Sequence, residues 1–422
     1  MPGLILSAPC SASGKTTITL GLLRALKNRG TPIRSAKSGP DYIDPRFHAA
    51  ASGAECLNLD AWAMTPDTIR NLAESEETLM IEGAMGLFDG APPHGKGATA
   101  DLARILNLPV ILILDVSRQA QSAAAIAYGF ASIDPTIKIA GLILNKVGSA
   151  RHEHMVRIAL EPLNIPILGS VRRQSNLQTP SRHLGLVQAS EHPELNTFLD
   201  QAADIAEHSI NIDALLALAK QQNLPTAADP ILPPPAQRIS IASDIAFAFA
   251  YPHLLKSWQA TGAEIQTFSP LANEAPPECD LVFLPGGYPE LHAGKLAANE
   301  TFLNGLRAAP AIYGECGGYM TLGTGLIDAD GTRHQMAGLL ALETSFAQRK
   351  LHLGYRNLVP KGGPWIAPLK AHEFHYATTL KANGTPLFAA TDAEGTPLSN
   401  MGLQNGTVTG SFGHVIAQHE NS

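Results

Sequence analysis

Lysine, hydroxyl and glycine residues that could grip a phosphate stand together in Ala8-Pro9-Cys10-Ser11-Ala12-Ser13-Gly14-Lys15-Thr16-Thr17, directly after the apolar run Leu4-Ile5-Leu6. Ile18, Leu22, Leu23 and Leu26 follow at helical spacing. A strand, a loop of small residues and a helix in this order turn backbone N–H groups and a positive helix end toward an anion. Lys15 then reaches the outer phosphates, and the Thr16 hydroxyl can hold Mg²⁺. The pattern predicts that Ser13, Gly14, Lys15, Thr16 and Thr17 bind ATP. Pro9 stands where the usual loop has its first glycine.

A second group surrounds a thiol. Gly314-Glu315-Cys316-Gly317-Gly318 follows the apolar Ala311-Ile312-Tyr313. Glycines on both sides of a nucleophile permit a sharp strand-to-helix turn. Such a turn is expected to lift the Cys316 thiol off the sheet and to lower its pKa at a helix N-terminus. Leu284-Pro285-Gly286-Gly287-Tyr288 ends another apolar run in a glycine turn. Backbone amides of Gly286, Gly287 and Gly317 are the expected holders of an oxyanion. The thiol also needs a base. His414 in Gly410-Ser411-Phe412-Gly413-His414 is the candidate, with His372 and His375 of Ala371-His372-Glu373-Phe374-His375-Tyr376 as rivals. Cys10, Cys56 and Cys279 have neither metal-ligand nor disulfide spacing and read as ordinary packed thiols.

These residues need a frame. Leu79-Met80-Ile81, Val110 to Leu114 and Ile139 to Leu144 are apolar without alternation, separated by helical stretches such as Gln119 to Phe130. Strands of this kind lie in a parallel sheet covered on both faces, with ligands beyond their carboxyl ends. A polar, proline-rich break precedes a second strand–helix series that begins at Arg238. The expected organisation is an ATP-binding domain over 1–195, a linker over 196–237 and a thiol-bearing domain over 238–422. The 422 residues are 45% hydrophobic and 16% charged, with net charge −7 and no basic stripe. That balance argues against nucleic acid as partner. No apolar run approaches the roughly 20 residues needed to span a bilayer. The N-terminus lacks a secretory layout, so a cytoplasmic location is expected.

The thiol elbow, the glycine turn and the late histidine together resemble a class I glutamine amidotransferase domain. Joined to an ATP domain of the dethiobiotin-synthetase type, the chain is similar over its whole length to the cobyrinic or hydrogenobyrinic acid a,c-diamide synthase family. The more diagnostic pieces are Lys37-Ser38-Gly39-Pro40-Asp41-Tyr42-Ile43-Asp44-Pro45, Glu82 to Gly90, His372 to Tyr376 and Gly410-Ser411-Phe412. The resemblance implies an α/β fold of two three-layer domains with mainly parallel sheets, one P-loop NTPase-like and one amidotransferase-like. It implies a ligase that uses ATP, Mg²⁺ and glutamine to amidate a corrinoid polycarboxylate, with a homodimer allowed. In that scheme Lys37 steadies the γ-phosphate, Asp41 and Glu82 join Thr16 around the metal, and Asn145 binds adenine. Tyr42, Asp44, Asp89 and His94 are the expected substrate contacts. The acid that many class I enzymes place two positions after the histidine is missing, since Ile416 stands there and Glu420 is the nearest acid. Arg34 to Gly39 and Asn58 to Met64 look more like the cobalt-free branch. Cobyrinic acid stays open as substrate, and a MinD/ParA-like ATPase switch with a degenerate amidotransferase tail is the reading from another class.

Overall fold

Apolar runs with no polar alternation become strands buried on both faces, as in Leu4-Ile5-Leu6 and Val110 to Leu114. The computed structural model describes residues 2–173, 181–182, 185–186, 188–221 and 231–419. Its chain divides into two units, Met1–Asp229 and Pro230–Ser422. In the first, β1 (Pro2–Ser7), β2 (Ile33–Ser38), β3 (Leu57–Leu59), β4 (Thr78–Glu82), β5 (Val110–Asp115), β6 (Ile139–Val147) and β7 (Ile167–Arg172) form a parallel sheet ordered β3-β2-β4-β1-β5-β6-β7. Between them run α1 (Lys15–Asn28), α2 (Asp44–Ser52), α3 (Pro66–Ala73), α4 (Thr99–Leu106), α5 (Ala123–Ser132) and α6 (Ala150–Leu160). A two-residue ladder, β8 (Ser181–Arg182) with β9 (Gly185–Leu186), follows β7. The short β10 (Lys220–Gln221) pairs antiparallel with the start of β1. Parallel register sets Lys37 beside Glu82, and Leu6 beside Glu82 on its other flank. Chemistry-bearing residues are thereby gathered at one sheet edge.

The segment expected as linker is in large part helical. α7 (Leu195–Ser209) and α8 (Ile212–Ala217) belong to the first unit. Phe198, Leu199, Ala202, Ala203 and Ala206 form the buried stripe of α7, which packs on α1. The helices approach closely, because a Cβ at Gly21 of α1 would lie 2.4 Å from the Ala202 carbonyl oxygen. Arg24 pairs with Asp200, and Arg29 with Glu207 and Asp213. Only 222–230 of the expected linker lies outside the described residues.

In the second unit β11 (Arg238–Ala242), β12 (Glu264–Phe268), β13 (Leu281–Leu284) and β14 (Ile312–Glu315) are parallel. Helices α9 (Pro252–Ala260), α10 (Ala293–Ala298), α11 (Glu300–Ala308) and α12 (Gly317–Leu322) connect or follow them. The apolar stretch from Leu291 to Leu306 is not one helix, because Asn299 divides it into α10 and α11 and donates its side-chain amide to the Pro270 carbonyl at 2.7 Å. β15 (Gly325–Ile327), β16 (Arg333–Gln335), β17 (Leu342–Ser345) and β20 (Thr378–Ala382) make a mixed sheet ordered β16-β15-β17-β20. β18 (His352–Pro360), β19 (Leu369–His375), β21 (Phe388–Thr391) and β24 (Gly413–Gln418) make an antiparallel one ordered β21-β18-β19-β24. β22 (Leu403–Asn405) and β23 (Val408–Ser411) complete the main sheet, β12-β11-β13-β14-β23-β22. These two sheets, one mixed and one antiparallel, are additions to the expected parallel architecture. Their signal is weak because the buried face of β19 carries Glu373 and His375 beside Leu369 and Ala371.

Candidate active sites

In the first unit, the loop between β1 and α1 needs two left-handed residues, Ala12 (φ 61°) and Gly14 (φ 86°). Gly14 is also the residue that fits, since a Cβ there would lie 2.2 Å from Nδ2 of Asn145. Asn145 Nδ2 donates to the Ser13 carbonyl at 2.8 Å, and its Oδ1 accepts the Lys146 N–H at 2.9 Å. The amide expected to read adenine is thus used on the loop backbone and braces it. Lys146 Nζ adds bonds to the Ala12 carbonyl (2.8 Å) and Asp115 (2.6 Å). Ser13 is buried and its hydroxyl donates to the Cys10 carbonyl. Thr17 lines a small cavity with Gly14, Asn145 and Arg172. Lys15 Nζ lies over the loop, donating to the carbonyls of Cys10 (3.2 Å) and Met85 (2.5 Å). Its burial lowers its pKa.

A second cavity of about 460 Å³ is lined by Lys15, Thr16, Lys37, Asp41, Asp44 and Glu82, among others. Thr16 Oγ1 is 2.6 Å from Glu82 Oε1 and 3.4 Å from Asp44 Oδ2. Lys37 Nζ bridges Asp44 (2.5 Å) and Glu82 (2.7 Å). Burial alone would lower Lys37, but Asp44, Glu82 and Asp41 hold it well above the usual lysine value. Burial likewise opposes ionisation of Glu82, and Lys37 with His48 more than offsets it. Asp41 spends Oδ1 on the N–H groups of Ile43 and Asp44, shaping the turn into α2. Burial, then the charge of Asp44, pushes its carboxyl up to about 6. Asp44, expected at the substrate, therefore stands nearer Thr16 and Lys37 than Asp41 does.

His48 escaped the sequence reading. It lies one helical turn after Asp44, fully buried, with Nε2 2.6 Å from Glu82 Oε2 and Nδ1 3.6 Å from the Cys56 thiol. Burial depresses His48, yet Cys56 and Glu82 together raise it to about 10. The other expected substrate contacts are scattered. Tyr42 is buried, His94 is exposed, and exposed Asp89 accepts the Gly86 N–H at 3.0 Å in a turn.

In the second unit β14 ends at Glu315, and Cys316 turns the chain with φ 46° and ψ −101°. Positive φ at a non-glycine residue costs about 1–3 kcal/mol and persists where neighbours enforce it. Here they do. A Cβ at Gly318 would lie 2.0 Å from the Leu284 carbonyl oxygen, and one at Gly317 3.0 Å from the Gly287 nitrogen. The elbow therefore packs directly on the Pro285–Gly287 turn. The Cys316 N–H donates to the Ser411 carbonyl, and the thiol to that of Phe374 at 3.8 Å. Contrary to the expected lowering, burial pushes the thiol pKa up, with Glu290 adding to it and the Gly317 N–H only partly compensating. Six residues of helix do not outweigh that desolvation.

His414 is fully buried on β24, and its ring lies against the same turn, since a Cβ at Gly286 would lie 2.1 Å from its Cε1. Burial, then His372 and His375, keep it well below the usual histidine value. It is therefore a neutral proton acceptor near pH 7. Of the rivals, His372 pairs across from His414 in the β19–β24 ladder. His375 Nε2 is 3.0 Å from Glu373, and its ring stacks on Phe412 and His352. Among the described residues, His352, Glu373 and His375 form the one cluster of potential metal-binding groups, but Glu373 already pairs with Arg356 at 2.7 Å. Glu315 Oε2 lies 3.8 Å from His414 Nδ1, an acid that the sequence reading missed while searching after the histidine. Glu420 is outside the described residues.

Two family models match. The CobQ/CobB/MinD/ParA nucleotide binding domain covers residues 4–187, and the CobB/CobQ-like glutamine amidotransferase domain covers residues 238–422. Similar curated proteins are hydrogenobyrinate a,c-diamide synthases. That of Brucella anthropi is 54% identical over 99% of this chain and 98% of its own. The Sinorhizobium protein is 52% identical over 99% of both chains. That of Agrobacterium fabrum is 49% identical over 98% of both.

Proposed function

The chain belongs to the family of hydrogenobyrinate a,c-diamide synthases, and from that membership we propose that it amidates the a and c side-chain carboxylates of hydrogenobyrinate, using ATP and glutamine. It is a glutamine-hydrolysing carbon–nitrogen ligase. A carboxylate carbon is a poor electrophile, so the γ-phosphoryl of ATP is transferred to the carboxylate oxygen, giving an acyl phosphate and ADP. Ammonia then attacks the acyl carbon and expels phosphate. Phosphoryl transfer of this kind needs positioning and charge neutralisation above all. The loop amides and Lys15 hold the phosphates, and Lys37 stands beside them. Thr16, Asp44 and Glu82 are a set of oxygen donors fitted to Mg²⁺, with Asp41 behind them. When bound there, the ion neutralises phosphate charge. His48 keeps Glu82 ionised and oriented.

In the second unit His414 takes the thiol proton, and the Cys316 sulfur attacks the side-chain amide carbon of glutamine. The amides of Gly286, Gly287 and Gly317 receive the oxyanion. Its collapse expels ammonia, protonated from His414, and leaves a thioester. Water, activated by His414, then releases glutamate and restores the thiol. Free ammonia at neutral pH becomes ammonium, which is not nucleophilic, so carrying both reactions in one chain is chemically useful. No helix among the described residues is long and apolar enough to cross a membrane. A cytoplasmic reaction is part of the proposal.

The end-to-end likeness to full-length relatives carries this reading over that of an ATPase switch. The test is incubation with hydrogenobyrinate, ATP, Mg²⁺ and glutamine, followed by mass spectrometry. Two amides per molecule are expected, with far less product from cobyrinic acid. Absence of ATP turnover with both corrinoids would end the proposal.

A further inference from the structure

The amidotransferase unit contains a base with Ile416 where an acid is expected two positions later, and a buried acid with no assigned task. Glu315 ends β14, immediately before the nucleophile, and its side chain is almost fully buried. Oε1 accepts the Val415 N–H at 3.0 Å, which fixes the carboxyl beside the strand that bears His414. Oε2 is 3.8 Å from His414 Nδ1. The Cε1 corner of the same ring lies over Gly286, on the turn that receives the Cys316 elbow.

We propose that Glu315 is the positioning acid of the glutaminase, holding the Nδ1 side of His414 so that the opposite edge of the ring serves the thiol. It takes the place of the acid absent at position 416. An anion beside Nδ1 orients the ring and stabilises the imidazolium formed when the thiol proton moves. Hydrogen bonds of this kind are often long before substrate binds and tighten in the complex. Glu315 on β14 and His372 and His375 on β19 act on His414, while Glu290 and Glu373 join Glu315 in acting on the Cys316 thiol. Glu315 is the carboxyl placed at Nδ1, and Glu373 is paired with Arg356 and His375. His375 is less suited to be the base, because its ring is stacked on both Phe412 and His352 and its Nε2 is engaged by Glu373. Burial pushes Glu315 up to about 8, with the Val415 N–H and the Tyr313 phenol acting against it. A proton gained by His414 therefore favours loss of one from Glu315.

The inference rests on glutamine hydrolysis at Cys316. Glutaminase activity of the full chain is measured against pH for the native protein, Glu315→Gln and Glu315→Asp. Glu315→Gln is expected to lower kcat by roughly 10- to 100-fold, as loss of an orienting partner commonly does. It should also remove the limb of the kcat/KM profile that reflects ionisation of Glu315, a carboxyl that burial holds above its usual range. Glu315→Asp should recover part of the rate and keep that limb. An unchanged profile in Glu315→Gln, or equal losses in both variants, would overturn the assignment. Thermal melting and ATP binding identify a variant that does not fold, and the Asp variant then decides by its pH limb. Full glutaminase activity in Cys316→Ser would instead bring down the underlying reading.

Discussion

Glu82 and Glu315 are both buried carboxyls, yet their neighbours drive them in opposite directions. Glu82 faces the Lys37 ammonium and the His48 imidazole, so it stays ionised despite its burial. Glu315 meets a backbone N–H and a phenol, which offset desolvation only in part. Environment, not residue type, sets the charge. The His48 side of this has a measurable consequence. Its folded pKa is raised from 6.5 to about 10. The stability it contributes is therefore complete below pH 6.5 and is lost as pH rises through about 10. Melting temperatures of native protein and His48→Asn should differ most near pH 6.5 and converge by pH 10 or above. A gap independent of pH would contradict the ion pair. At the thiol, Cys316→Ser is expected to reduce glutamine hydrolysis by roughly 10,000-fold or more, because nothing else supplies the nucleophile. Release of glutamate from glutamine measures it.

Two strand-to-helix turns do the placing, and both rely on missing side chains. Gly14 makes room for the Asn145 amide, and Gly286 for the imidazole of His414. Enlarging the second should disable one chemistry and spare the other. In Gly286→Ala the new methyl would lie 2.1 Å from Cε1, so the ring has to shift. A misplacement of about 1 Å can cost on the order of 100-fold in rate. Glutaminase activity should fall by about that factor while ATP binding to the first unit is unchanged. Loss of both together would indicate global unfolding instead. The helix after the phosphate loop was legible because Ile18, Leu22, Leu23 and Leu26 repeat at one face, and all are buried. The break at Asn299 was not, since it follows from a carbonyl 29 residues upstream.

The chain divides later than its composition suggested. Polar and alanine-rich residues after Asn196 read as linker, but α7 places its apolar stripe on α1. Burying Phe198 and Leu199 contributes about 1.5–3 kcal/mol each. The exposed ion pairs of Arg29 add little beside that, about 0–1 kcal/mol. A fragment comprising residues 1–229 is expected to melt cooperatively and bind ATP. One ending at 195 should leave α1 uncovered and aggregate or melt at much lower temperature. Equal melting of the two fragments, by circular dichroism, would place the boundary back where the composition suggested.

Local chemistry was enough to locate the phosphate loop, the thiol elbow, the glycine turn and the late histidine, because each is a short run whose backbone demands particular small residues. Register and pairing are different, since they join positions far apart in the chain. Parallel β2–β4 pairing brought Lys37 to Glu82, helix α2 turned Asp44 toward Lys37 and His48 toward the Glu82 carboxylate, and β14 delivered Glu315 to His414 across about a hundred residues. The raised thiol pKa also emerged only from packing, because desolvation depends on everything that surrounds a group and no neighbouring letter in the chain reports it.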